Sequence, residues 1–203
     1  NTDNITSVGS TVFTKDNSTT SGGVFIVVGA SGTLLTSSDN GTIWTSRTSG
    51  TTNNLRAVAY DGSSTLVAVG FSGTILTSSD GKTWTSRTSG TSKNINNVAY
   101  GNNQFVVVGD NGTTLYSSDG ITWTDWTSSC GANDNESLWD VAYGSSTWVT
   151  VGDNGSIYTS DESSCTKRTS GTTVEFNELI YGNSTFVAAG MSGTILTSSN
   201  GTS

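Results

Sequence analysis

The 203-residue chain has no proline and no histidine, two cysteines and one methionine, and only 12% of its residues are charged. Each shortage excludes something. Without proline, every strand is free to donate all its ladder hydrogen bonds. Without histidine, His-based catalytic triads and His metal sites are out of reach. Eight Lys and Arg against sixteen Asp and Glu give a formal charge of −8. Such a chain has no basic surface with which to track nucleic acid or settle on an anionic membrane. The longest apolar run, 24–28, is far too short to span a bilayer. No CxxC occurs, so redox catalysis and zinc lack their ligands. No metal and no other cofactor is expected.

What is abundant is Ser, Thr, Asn and Gly, with Trp, Tyr and Phe recurring at intervals. Disordered chains lack such regular aromatics, so this one folds. It begins at Asn1 without Met or signal peptide, the expectation for a mature, secreted chain or a fragment. Eight Asn-x-Ser/Thr triplets start at Asn4, Asn17, Asn40, Asn111, Asn135, Asn154, Asn183 and Asn200. They read either as glycan acceptors or as plain turn residues, Asn-Gly being a favoured hairpin dipeptide.

One phrase is said five times. Aligned on Gly29, Gly70, Gly109, Gly152 and Gly190, the spacings are 41, 39, 43 and 38 residues. A period near 40 with four short β-runs per unit predicts propeller blades. In the second unit, "LRAVAY", "LVAVG", "TILTS" and "TWTSRT" are separated by Gly, Asn, Asp and Ser turns. The expected fold is all-β: a single five-bladed β-propeller domain over 1–203, with blades at about 1–50, 51–90, 91–131, 132–171 and 172–203. The inner strands begin near Ile5, Leu55, Ile95, Leu138 and Phe176. The first hairpin is enlarged through "TKDNSTTSGG".

The blocks "SSDNGTIW", "SSDGKTW" and "SSDGITW" resemble the Asp-box (BNR) repeat of bacterial neuraminidases. The phrasing "AVGxxGTILTSSDGxTW" is also similar to photosystem II assembly factor-like propellers. The resemblance implies that the box is the hairpin between third and fourth strands. Its Asp caps the turn at Asp39, Asp80, Asp119 and Asp161, with Asn200 in the last unit, and Trp44, Trp84 and Trp123 pack beneath it. The resemblance stops at fold, because sialidase chemistry needs an arginine triad. The only arginines here are Arg47, Arg56, Arg87 and Arg168, and three of them recur at one repeat position. A non-enzymatic protein is expected.

Cys165 stands where the other units carry Trp, and Cys130 follows the outer strand of the preceding unit. Loss of the aromatic in the unit that gains a Cys suggests a Cys130–Cys165 disulfide, free thiols being the alternative.

In a repeat protein, function tends to lie where units differ. The second inner-strand residue reads Thr6, Arg56, Asn96, Trp139 and Asn177, and the next reads Ser7, Ala57, Asn97, Asp140 and Glu178. The loop after the second strand brings Phe71, Asp110, Asp153 and Met191. These positions are expected to share one face around the central channel, suited to stacking on sugars or anchoring a protein segment. The alternative is drift in exposed loops. Trp126, which replaces the repeated Arg, is expected to pack between blades.

The last unit stops at "TSSNGTS", before a Trp and outer strand. That predicts an open edge at Thr194, Ile195, Leu196, Thr197 and Ser198, free of charge and proline and so an invitation to strand addition. The function expected is a secreted structural or adhesive interaction module that self-associates into a cell-surface or filament assembly, or binds another surface protein. A lectin-like binder of glycans is the alternative, and a glycosidase the weakest reading.

Overall fold

A computed structural model describes residues 24–127, 136–161 and 164–203 of the chain, and the backbone of 12–15. The described strands form five antiparallel sheets in which sequence neighbours are also sheet neighbours. The first contains β1 (Val12–Lys15), β2 (Val24–Val28), β3 (Leu34–Ser37) and β4 (Thr45–Ser46). The second contains β5 (Leu55–Tyr60), β6 (Leu66–Gly70), β7 (Thr74–Ser78) and β8 (Thr85–Arg87). The third contains β9 (Ile95–Gly101), β10 (Gln104–Gly109), β11 (Thr114–Ser117) and β12 (Thr124–Asp125). The fourth contains β13 (Leu138–Gly144), β14 (Thr147–Gly152), β15 (Ile157–Ser160) and β16 (Cys165–Arg168). The fifth has three described strands, β17 (Phe176–Gly182), β18 (Thr185–Gly190) and β19 (Ile195–Ser198).

Alternation along each strand sends side chains to two neighbours at once. In the second sheet, Leu66, Ala68 and Leu76 pack on Ile26, Val28 and Leu34 of the first. On its other side, Val67, Val69 and Ile75 pack on Phe105, Val107 and Leu115 of the third. The third meets the fourth through Val106 and Val108 against Val141, Trp148 and Tyr158. The fourth meets the fifth through Val149 and Val151 against Leu179, Phe186 and Ala188. This explains why β6 is apolar throughout: all five of its residues are buried. Each Leu, Ile or Val placed there contributes about 1.5–3 kcal/mol.

Val12 pairs with Val27 as Val98 pairs with Val107, and the expected start of the first inner strand near Ile5 lies outside the described residues. Thr6 and Ser7 lie outside the described residues.

The hairpins between third and fourth strands share one construction. Ser78 Oγ donates to Asp80, and Asp80 Oδ1 accepts the backbone N–H groups of Lys82 and Thr83. Those donors hold the Asp80 carboxyl down at a pKa of about 2. Asp39 and Asp119 repeat the arrangement, and Asp161 accepts from the Ser164 N–H. Asn200 stands in for the aspartate by accepting from the Thr202 N–H. Trp84 and Trp123 donate Nε1–H to the carbonyls of Gly81 and Gly120 and pack into the seams. Trp44 lies against Gly41.

Two glycines of the repeat are there for different reasons. Gly70 is extended, but a Cβ on it would stand 2.1 Å from the Asn54 carbonyl oxygen. Gly73 combines a φ of +68° with a Cβ position 2.0 Å from the Thr91 carbonyl oxygen. Gly90, at φ +80°, has open space around it. Gly90→Ala should therefore cost about 1–2 kcal/mol from backbone strain alone. Gly73→Ala should cost clearly more, because backbone must also move. Urea denaturation of the two variants checks the order, and equal midpoints would remove the steric account.

Candidate functional site

The variable inner-strand positions share a feature that the sequence did not announce. Register shifts fall between Leu55 and Ala57, between Leu138 and Asp140, and between Phe176 and Glu178, and Ile95 and Asn97 oppose Gly109 and Val108. Arg56, Asn96, Trp139 and Asn177 are thus the extra residues of four β-bulges. A bulge bends its strand and re-aims one side chain. Here the re-aimed side chains are the ones that differ from repeat to repeat.

Three of the expected face residues come together across non-adjacent sheets. The Arg56 guanidinium lies 4.7 Å from the centroid of the Phe71 ring and 5.4 Å from that of Trp139. Burial pulls the Arg56 pKa below the usual arginine value, with Asp110 opposing that pull. Trp139 donates Nε1–H to Asp153 at 2.7 Å, and Asp110 accepts from Asn94 and Asn96. The grouping is an aromatic and cationic ledge with carboxylates beside it. Asn177 bonds its own neighbour Glu175, and Met191 is exposed on the fifth sheet.

The remaining residues form a belt that ties inner strands together. Asn96 donates to the Leu138 carbonyl, and Asn97 donates to Asp140 at 2.6 Å. Asp140 also accepts the N–H of its neighbour Val141 and, from the next sheet, that of Leu179 at 2.6 Å. It is buried, and burial, with Glu178 adding to the effect, lifts its carboxyl to about 7. Asp140 therefore lies inside the scaffold, bonded to the third and fifth sheets.

Along the outer strands a second pairing recurs. Arg47, Arg87 and Arg168 donate Nε–H to Thr36, Thr77 and Thr159 at 2.9, 2.8 and 2.7 Å. In the third sheet the equivalent residues are Trp126 and Tyr116, whose rings meet edge to face at 5.6 Å. The outer-strand residue changes together with its third-strand partner. Tyr116 in turn packs against the seam with the fourth sheet.

Cys165 occupies the aromatic slot of the fourth sheet and packs in the seam with the third. Cys130 lies outside the described residues, as do Asn4, Asn17 and Asn135. Asn40, Asn111, Asn154, Asn183 and Asn200 are all exposed. Asn111 and Asn154 sit at φ near +55°, where other repeats place Ser31, Ser72 and Ser192. That conformation accounts for asparagine as a turn residue. Among the described residues, no group of three His, Cys, Asp or Glu could hold a metal ion.

Among the described residues, none covers the outer face of the fifth sheet. Ile180 is 63% exposed and Ile195 66%, on a face whose counterparts in the fourth sheet, Ala142 and Ile157, pack against a neighbour. Thr197 shares that face, opposite Val187 and Ile180.

Five radially packed antiparallel sheets with inner strands side by side define a protein of the β-propeller class. The chain is similar to YCF48 from Cyanidioschyzon merolae, with a TM-score of 0.64 and 17% identity over 86% of this chain and 63% of that one. It is also similar to the WD40 β-propeller domain of Doa1, with a TM-score of 0.67 and 15% identity over 92% of this chain and 63% of that one. The chain thus spans 63% of the length of each. No protein-family model matches the chain, nor does any curated protein.

Asp140 gives the belt a pH signature. Its folded pKa of about 7 lies well above the ordinary carboxylate value of 3.8. Between those values the folded state holds more protons than the unfolded one, so stability falls as pH rises through that window and levels off above it. Thermal melts from pH 4 to 8 should show Tm dropping by a few degrees for the native chain. Asp140→Asn should flatten that dependence. An unchanged slope in the variant would assign the effect elsewhere.

Proposed function

We propose that this chain is a non-enzymatic, secreted interaction module of Asp-box repeats that self-associates through its last blade into a cell-surface or filament assembly. The observation that carries the reading is β19. Among the described residues it pairs with β18 alone, whereas β3, β7, β11 and β15 each carry a further strand. Edge strands are commonly blunted by charge or proline, and β19 reads ILTS with neither. Leaving ladder groups to water is tolerable, but an incoming strand satisfies them and covers apolar surface in the same step. Donor and acceptor surfaces differ, so the association runs head to tail.

A second reading, a lectin-like or peptide-binding face, draws support from the ledge of Arg56, Phe71 and Trp139. Flat aromatic rings beside carboxylates suit the apolar faces and hydroxyls of sugars. A glycan array separates this reading from the first.

Sedimentation velocity tests the assembly reading. The native chain should form larger species as concentration rises, and Thr197→Lys, which sets a charge on the open face beside the edge, should remain monomeric. If both are monomeric at high concentration, the reading fails and the ledge becomes the leading site. Secretion carries its own check: unreduced native protein should expose no alkylatable thiol by intact mass, because Cys130 and Cys165 are proposed to be joined. Two alkylated cysteines would count against an oxidising location.

A further inference from the structure

Three consecutive blades set a bulge residue against a residue of the loop after the second strand. In the second blade the Arg56 guanidinium lies 4.7 Å from the centroid of the Phe71 ring. In the third, Asn96 Nδ2 donates to Asp110 Oδ1 at 3.1 Å. In the fourth, Trp139 Nε1–H donates to Asp153 Oδ1 at 2.7 Å. The three pairs converge, because Arg56 also reaches to within 5.4 Å of the Trp139 ring centroid and feels the charge of Asp110. Both carboxylates are fixed in orientation by the fold itself. Asp110 Oδ2 accepts from Asn94 at 2.8 Å, and Asp153 Oδ2 accepts the Ser137 N–H at 3.0 Å. Each of the four oxygens thus holds one donor and keeps acceptor capacity for another. Asn96 is buried and its Oδ1 has no hydrogen-bond partner, so the middle pair carries an unmet acceptor. The fifth blade breaks the pattern: Asn177 turns to Glu175, and Met191 is exposed.

We propose that these three pairs form one site for an uncharged pyranose sugar, and that the site discriminates against acidic sugars. The inference rests on the lectin-like reading and deepens it by naming the class of sugar. A pyranose presents apolar C–H patches on its ring faces. Around its edge it carries hydroxyls, each of which both donates and accepts hydrogen bonds. Phe71 and Trp139 offer flat, partly exposed surface to the ring faces. Asp110 and Asp153 accept from the hydroxyls, and the Arg56 guanidinium donates to them. Charge then sets the selectivity. One guanidinium against two carboxylates leaves the site with a net charge of −1, and the Arg56 charge is already opposed by Asp110. A uronate or sialate brings a further negative charge beside Asp110 and Asp153, and like charges held close repel. A hydroxymethyl group in the same place meets no such cost.

The test applies the native chain, Trp139→Ala and Asp153→Asn to an array of neutral, sialylated and uronate glycans. Trp139 and Asp153 are partly exposed, and a cooperative melt of each variant checks that it folds. The native chain should bind neutral glycans, and Trp139→Ala should weaken them at least about tenfold, as loss of an aromatic anchor does. Calorimetry with the methyl glycoside of the bound sugar and its matching methyl uronide, which differ only at C6, reads the selectivity directly. The uronide should bind severalfold more weakly, and Asp153→Asn should narrow that gap. Acidic glycans bound as tightly as neutral ones, with binding lost in Trp139→Ala, overturn this inference and leave the lectin-like reading standing. Neutral binding that neither variant weakens moves the sugar elsewhere on the molecule and overturns the site. A blank glycan array overturns both the site and the lectin-like reading. If an array of synthetic peptides is then bound, and Trp139→Ala abolishes it, the ledge is a peptide site instead.

Discussion

No single blade of this protein can bury its own side chains. A short antiparallel sheet has two faces, and here both are apolar, so each sheet is stable only when sandwiched between neighbours. Val67 and Leu66 are adjacent in sequence yet lie in different seams. Every feature of the repeat serves that arrangement. Its glycines let backbones of successive turns approach, its hairpin aspartates close the rim, and its tryptophans seal the outer ends of the seams. The same requirement makes the last blade conspicuous, because its outward face carries Ile180 and Ile195 largely exposed to water.

The scaffold was largely legible because it is written five times over. Strands β5 to β8 coincide closely with the apolar and β-branched runs that the second unit displays, and the Asp80 turn forms the bonds its residue types suggest. The first unit is less legible for a physical reason: "NITSVG" carries a weak apolar pattern that fits several registers, whereas pairing with β2 fixes the register of Val12–Lys15.

The candidate site was half legible. Disagreement between repeats pointed to Arg56, Asn96, Trp139 and Asn177, but the bulges that aim them leave no composition signal. Nor could sequence separate the ledge from the belt. Asn97 and Asp140 look like any polar pair on a channel face until the Leu179 N–H is seen to reach the same carboxylate. The coupling of Thr77 with Arg87 and of Tyr116 with Trp126 was visible in principle as paired change between repeats. It gains meaning only once register shows that the partners share a face.

The belt near the axis has a mechanical consequence. Asn96, Asn97 and Asp140 join the third, fourth and fifth blades through bonds that cross from blade to blade, while the rim hairpins capped by Asp39, Asp80 and Asp119 are closed each upon itself. A load applied across the blades thus meets polar stitching at the hub and chiefly side-chain packing farther out. The array behaves as a folding fan, stiff at the rivet and compliant at the leaves.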